Sequence, residues 1–292
     1  MPDSQTPSAP LRVALIGFGE AGSTFARAGG WEDDAAAFDI DPARMVAMAD
    51  CGVVPHSDPT SALADAAIVL SLVTADQAIA AAECAAPLMA PGTIFCDMNS
   101  VAPDTKRAAA RAVEAAGAHY VDVAVMAPVD PARLNVPLLL AGPAADEAMA
   151  ALNALGFAKT RVVGSEIGQA SAIKLCRSIM VKGLEALTAE MVLAAATAGV
   201  LDEVLASLDA SEKPVSWRDR ADYNLDRMIL HGRRRSAEMA EACAMLRDLG
   251  IAPRMTDNTV SWQQGIGALD LRPVPTSLEL KIAAIHGREY QS

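Results

Sequence analysis

Gly17, Gly19 and Gly22 stand in the order Gly17-Phe18-Gly19-Glu20-Ala21-Gly22, directly after an aliphatic run at residues 11–16 and at the head of an alanine-rich segment of helical pattern. In that setting a backbone can cradle a pyrophosphate. Gly17 permits the tight turn, Gly19 lets the main chain approach the phosphates, and Gly22 lets the helix pack on the strand while its N-terminus receives negative charge. Phe18, Glu20 and Ala21 belong to the same expected cofactor contact. With 19 glycines in 292 residues, the pattern arises by chance in roughly 0.08 of such chains before a strand and a helix are also required around it. Asp39 lies 22 residues beyond Gly17 (39 minus 17), at the end of the next aliphatic run. A carboxylate there can accept both ribose hydroxyls and repels a 2′-phosphate, which favours NAD over NADP. Arg44 nearby leaves NADP open, and a plain turn aspartate is the structural alternative. Asn99 and Ser100 follow a further aliphatic run. Either they hold a substrate hydroxyl or carboxylate near the nicotinamide, Asn99 touching the cofactor as well, or they cap the helix that begins near Pro103. Val73 and Thr74 pose the same choice between the cofactor ribose and a helix cap. In the segment after Gly168, Lys174, Arg177, Ser178 and Glu185 fall on one helical side, with Leu175, Ile179, Met180 and Leu184 opposite. From spacing alone this reads as a solvated strip. A desolvated lysine is nevertheless the type of group that accepts an alcohol's proton near neutral pH during hydride transfer.

The elements that must position these residues follow from periodicity. Short aliphatic runs at residues 11–16, 36–40, 67–72, 93–97, 119–123 and 137–141 alternate with alanine-rich stretches of helical length, which predicts an α/β fold with a Rossmann-type, doubly wound, mostly parallel sheet. After residue 164 the strand signals stop, and an all-α domain is expected, joined by one long interdomain helix and containing a further helix at 224–249. The expected division is a disordered tail at 1–10, a dinucleotide-binding domain at 11–165 and a helical substrate and dimerisation domain at 166–292. Acidic residues outnumber basic ones by 36 to 24, for a formal charge of -12, which argues against nucleic acid and anionic lipid as partners. No apolar run reaches the ~20 residues needed to cross a bilayer. The five cysteines show no paired or metal-binding spacing, so no metal is expected and a reducing cytoplasm fits.

The segment Asp97-Met98-Asn99-Ser100-Val101-Ala102-Pro103 resembles the D-x-S-T-x-x-P substrate motif of the β-hydroxyacid dehydrogenases, the family of 3-hydroxyisobutyrate and 6-phosphogluconate dehydrogenases. Three further stretches match in order: the glycine loop; Val121-Asp122-Val123-Ala124-Val125-Met126-Ala127-Pro128, where the family has a D-A-P-V-S-G-G-like loop; and Gly168-Gln169-Ala170-Ser171-Ala172-Ile173-Lys174, where it has its catalytic lysine. The stretch from Tyr223 to Gly250 looks like a distinct branch of that family with its own helical domain. The resemblance implies the fold, an NAD(P)-dependent reaction on an alcohol or hydroxyacid, a homodimer, and Lys174 as general acid and base.

Two departures bear on the substrate. Met126, Ala127 and Pro128 replace the small glycine loop whose N–H groups take a carboxylate, and Pro128 has no N–H to offer. Ser178 stands where the family commonly has asparagine. Arg235, lying on the apolar stripe of the 224–249 helix with His231 at its edge, is either a replacement anion anchor or half of a structural ion pair. Two other readings use the same cofactor site. One is an imine reductase-like enzyme, disfavoured because its proton donor is generally not this lysine; the other is a nicotinamide-binding sensor or assembly protein without turnover.

Overall fold

The computed structural model describes residues 11–197, 199–211, 215–248 and 252–289. The expected tail at 1–10 and the predicted helix end at 249 lie outside them. The chain divides into two compact units between Lys174 and Leu175.

The first unit is built on strands β1 (Val13–Ile16), β2 (Ala35–Phe38), β3 (Val54–His56), β4 (Ile68–Ser71), β5 (Ile94–Asp97), β6 (His119–Val125), β7 (Leu138–Ala141) and β8 (Thr160–Gly164). They form one sheet in the order β3-β2-β1-β4-β5-β6-β7-β8. All neighbours are parallel except β6 and β7, so β7 and β8 run against the rest. The intervening helices are α1 (Glu20–Gly29), α2 (Arg44–Asp50), α3 (Pro59–Leu63), α4 (Ala78–Ala85), α5 (Pro103–Ala115), α6 (Val129–Ala132) and α7 (Ala145–Ala154). The alternation within β1 shows why the sheet is covered on both faces. Val13 and Leu15 join one core cluster with Phe25, Ile68, Leu70 and Phe157, whereas Ala14 and Ile16 join another with Val69, Phe95 and Val113. The expected parallel sheet is thus present, with two strands beyond those predicted. β3 is a three-residue edge strand interrupted by Pro55, and β8 is a half-exposed strand at the opposite edge. Neither edge needs the continuous apolar run that marks a buried strand.

The chain order reverses between β1 and β4, the arrangement that opens a ligand crevice at the strands' C-terminal ends.

Helix α8 (Gln169–Thr197) leads into the second unit, which continues with α9 (Leu201–Ser211), α10 (Trp217–Asp248), α11 (Arg254–Ala268) and α12 (Leu278–Glu289). Leu225, Met228, Ile229, Met239, Ala242 and Cys243 of α10 are all buried, as their helical spacing predicts. Gly232 and Gly267 mark the crossing of α10 and α11: a Cβ at Gly232 would come within 2.3 Å of the Gln263 carbonyl oxygen. Backbones at that distance admit no side chain.

Candidate functional site

The three loop glycines have three different reasons to be glycine. Gly17 has φ +90, and a Cβ there would sit 2.6 Å from the Leu72 carbonyl oxygen. Its N–H donates to the Phe38 carbonyl at 2.9 Å, so the turn is wedged between the ends of β2 and β4. A Cβ on Gly22 would strike the Gly17 carbonyl oxygen, also at 2.6 Å. Gly19 differs: its φ is an ordinary -79, and a Cβ would meet nothing within 4 Å. The protein itself does not require glycine there. What the missing side chain leaves is open space at the N-terminus of α1, where the amides opening the helix have no carbonyl ahead of them. That cradle fits a dinucleotide pyrophosphate.

Asp39 braces the loop. One carboxylate oxygen accepts the Phe18 N–H at 2.6 Å and the other accepts the Asp41 N–H at 2.9 Å. The Phe18 amide is therefore engaged within the protein and its ring lies in the core. Glu20 is exposed and Ala21 half-buried at the start of α1. Val73 lies against Gly17, with a side-chain carbon 3.0 Å from where a Gly17 Cβ would stand. The Thr74 hydroxyl, and after it the Gln77 amide, hydrogen-bond Asp76 and hold its carboxyl below the ordinary value. Thr74 serves its own turn in this way.

Further along the same sheet edge, Ser71 ends β4 and its hydroxyl accepts the Asn99 amide N–H at 3.0 Å. Asn99 is 5% exposed, and its side-chain oxygen is buried without a hydrogen-bond partner among the described residues. Buried acceptors are seldom left so, and this one is available to a donor from a ligand. The next residue, Ser100, accepts a hydrogen bond from the Lys174 amine. Two residues 74 positions apart, each singled out from sequence, thus meet through their functional groups.

Beneath this pair lies a buried network that the sequence did not reveal. Asp97 and Asp122 are partners across the parallel pair β5 and β6. The Lys106 amine, fully buried, donates to the Asp97 carbonyl at 2.6 Å and to its carboxylate at 2.9 Å, and lies 3.4 Å from the Asp122 carboxylate. The Tyr120 hydroxyl donates to the other Asp97 oxygen at 2.5 Å. Burial, then the charge of Asp97, holds that phenol well above its ordinary pKa, so it remains a donor. Burial likewise pushes the neighbouring Cys96 thiol up, which removes it as a nucleophile. Asp122 caps α8: one oxygen accepts the N–H groups of Gly168 at 3.1 Å and Ser171 at 3.0 Å, and the Ser171 hydroxyl at 3.2 Å. Asp97 and Asp122 lie in the two stretches that resemble the family's loops, Asp97 at the end of β5 and Asp122 within β6. Lys106 carried no signal, because a lysine in the first turns of an alanine-rich helix reads as surface.

Met126 packs on a small cluster with Leu139 and Ala170, while Ala127 and Pro128 are exposed. The remaining predicted residues belong to the helical unit. Ser178 is buried, and its hydroxyl faces the Lys182 amine at 3.4 Å; Lys182 pairs with Glu238 at 2.7 Å. Arg235 pairs with Glu185 at 2.5 Å, both buried, and Gln263 donates to the same carboxylate at 2.9 Å. Arg235 thus has the carboxylate partner of an ion pair, while its Nη1 makes no hydrogen bond among the described residues. His231 is half-buried on α10. No cluster of three metal-ligating side chains occurs among the described residues.

Residues 12–164 match the family described as the NAD binding domain of 6-phosphogluconate dehydrogenase, and residues 195–266 match a domain of unknown function (DUF1932). The chain is similar to a conserved hypothetical protein from Sinorhizobium meliloti 1021, at 36% identity over 96% of this chain and 97% of that one, with a TM-score of 0.77. It is also similar to a conserved protein of unknown function whose structure revealed similarity with 3-hydroxyacid dehydrogenases, at 29% identity over 93% and 99% of the two chains and a TM-score of 0.72. The 3-hydroxyisobutyrate dehydrogenase of Mycobacterium tuberculosis, solved with L-serine, shares the fold over 95% and 98% of the chains at 17% identity and a TM-score of 0.74.

Proposed function

Because the chain belongs to the family of the NAD-binding domain of 6-phosphogluconate dehydrogenase, we propose that it is an NAD(P)-dependent oxidoreductase interconverting a hydroxyacid, or a related primary or secondary alcohol, with its carbonyl compound. The observation that carries this reading is the hydrogen bond from Lys174 to Ser100 on the sheet edge that also presents the glycine loop. The loop from Gly17 to Gly22, with Asp39, Val73 and Thr74, holds the cofactor, which when bound supplies the hydride acceptor in oxidation and the donor in reduction. The Asp39 carboxylate disfavours a 2′-phosphate, so NAD is preferred to NADP.

Asn99 orients cofactor or substrate through its buried oxygen, which has no partner among the described residues. Lys174 takes the proton of the substrate hydroxyl during oxidation and returns it during reduction, and Ser100 aims the amine. The loop Met126, Ala127 and Pro128 borders the substrate with few N–H groups, and Arg235 is committed to Glu185. The substrate is therefore one that depends little on a carboxylate anchor.

In this reading residues 11–165 form the cofactor domain and 166–292 the substrate and dimerisation domain. Met180 and Leu184 are exposed on α8, as are Tyr223 and Leu230 on α10; such apolar exposure supports a homodimer. The five cysteines, all free, fit a reducing cytoplasm.

Nicotinamide absorbance tests the reading. Purified protein is offered NAD or NADP with a panel of 3-hydroxyacids, sugar acids and diols, and with cyclic imines and NAD(P)H in the opposite direction. Turnover of an alcohol supports the reading and names its substrate class. Turnover of imines alone replaces it with an imine reductase. Cofactor binding with silence across the whole panel favours a sensor.

A further inference from the structure

We propose that Lys106 is a positioning residue that sets the contact between Ser100 and Lys174; the inference rests on the role given above to Lys174. Asp97 and Asp122 are register partners on adjacent parallel strands, so their side chains leave the same face, roughly 5 Å apart. Both are fully buried. Two unscreened carboxylates at that separation repel, and a cation between them is the simplest remedy. Lys106 supplies it, from the end of the first turn of α5, with the contacts described above.

Charge balance alone does not account for what the two carboxylates hold. Asp97 also accepts the Asn99 N–H at 2.9 Å, which shapes the turn presenting Asn99 and Ser100. Asp122 accepts the N–H groups of Gly168 and Ser171, which fixes the first turn of the helix bearing Lys174. One ammonium therefore ties together the two segments whose side chains meet. Its neighbours reinforce the link. Arg107 donates to the Ile167 carbonyl at 3.3 Å, and a Cβ on Gly168, at φ +103, would come within 2.8 Å of Pro103. The start of α5 is thus seated directly on the turn that begins α8. Apolar side chains of similar volume fill a core at least as stably as a buried ion cluster, so the gain from Lys106 lies in geometry.

The test follows the Lys174 amine itself and needs no substrate. Full-length wild type, Lys106→Met and a control, Phe157→Leu, are treated with an amine-acetylating reagent, and modification of Lys174 is timed by peptide mass spectrometry at a temperature where all three are folded. Phe157 lies in the core cluster containing Phe25 and Trp31, so its truncation lowers the melting temperature without touching the network. Loss of positioning predicts that Lys174 in Lys106→Met reacts roughly tenfold faster, in the range of couplings within one hydrogen-bonded network, while the control stays within about twofold of wild type. A wild-type rate in Lys106→Met, or an equal rise in the control, overturns the inference. Should Lys106→Met fail to fold, Lys106→Gln removes the cation while leaving Asp97 and Asp122 unchanged and a polar group between them. A wild-type rate in Lys106→Gln also overturns the inference, and a faster one supports it. The outcome is separate from the fate of the oxidoreductase reading: if Lys174→Ala retains turnover, that reading falls while the acetylation rates still decide the part played by Lys106.

Discussion

Two buried ion clusters, one in each unit, invite the same first interpretation and turn out to do different work. In the helical unit Arg235 meets Glu185, and that carboxylate also receives the side chain of Gln263. The contacts run from side chain to side chain and join α8, α10 and α11. In the sheet unit Lys106 meets Asp97 and Asp122, and those carboxylates reach past it to main-chain N–H groups at Asn99, Gly168 and Ser171. There the ions hold backbone, and the backbone they hold presents Asn99, Ser100 and Lys174. A buried charge is thus weak evidence of a ligand site until it is known what else its partner binds. Arg235, the residue that looked like an anchor, is ion-paired with Glu185 within its own unit. Lys106, which attracted no notice, underlies the pair that carries the proposed chemistry.

The sharpest way to break this contrast is Arg235→Ala. It leaves the Glu185 carboxylate buried without its cation and is expected to destabilise the helical unit by about 3–5 kcal/mol. Cofactor titration by fluorescence should be unchanged in the folded protein. A loss of cofactor affinity with no loss of thermal stability would give Arg235 the ligand role denied to it here.

A smaller effect separates the glycines. Gly19→Val is expected to leave the melting temperature nearly unaltered, since a side chain there meets nothing, and to weaken cofactor binding about ten- to a hundredfold by filling the cradle. Gly17→Ala should lower the melting temperature through its clash with the Leu72 carbonyl. If both variants lose stability alike, Gly19 is a structural glycine and the cradle is not a ligand site.

The smallest effect belongs to a surface charge of the sheet unit. Asp58 accepts hydrogen bonds from the Ser61 N–H and hydroxyl, and these, the backbone bond foremost, hold its carboxyl below the ordinary 3.8. A depressed folded-state pKa contributes stability that is present above the unfolded value and disappears as pH falls through the folded one. Asp58→Asn should therefore flatten, slightly, the acid side of the stability curve below pH 3.8. An unchanged acid limb would mean that the cap bonds do not depend on charge.

Much of this architecture is legible in the chain itself. The central strands are buried on both faces and announce themselves as aliphatic runs, and the three glycines announce a turn that only glycine can make at Gly17. The edge strands β3 and β8 escape notice because Pro55 and Arg161 are tolerated where one side faces water. The meeting of Lys174 with Ser100 was legible only through resemblance, since helical spacing alone described a solvated strip. Lys106 was hidden for a physical reason. Its environment is created by a strand register that pairs Asp97 with Asp122, and no local pattern in α5 records which carboxylates the sheet will place beneath it.

The central claim is that Lys174 carries the proton for a nicotinamide-linked reaction. The most direct measurement is the turnover number of wild type and Lys174→Ala on the first substrate found by nicotinamide absorbance, with cofactor affinity measured in parallel. A loss of about 10²- to 10⁴-fold in kcat at unchanged cofactor affinity is predicted for a general acid and base. Turnover by Lys174→Ala within about tenfold of wild type, below the usual span of such catalysis, would contradict it.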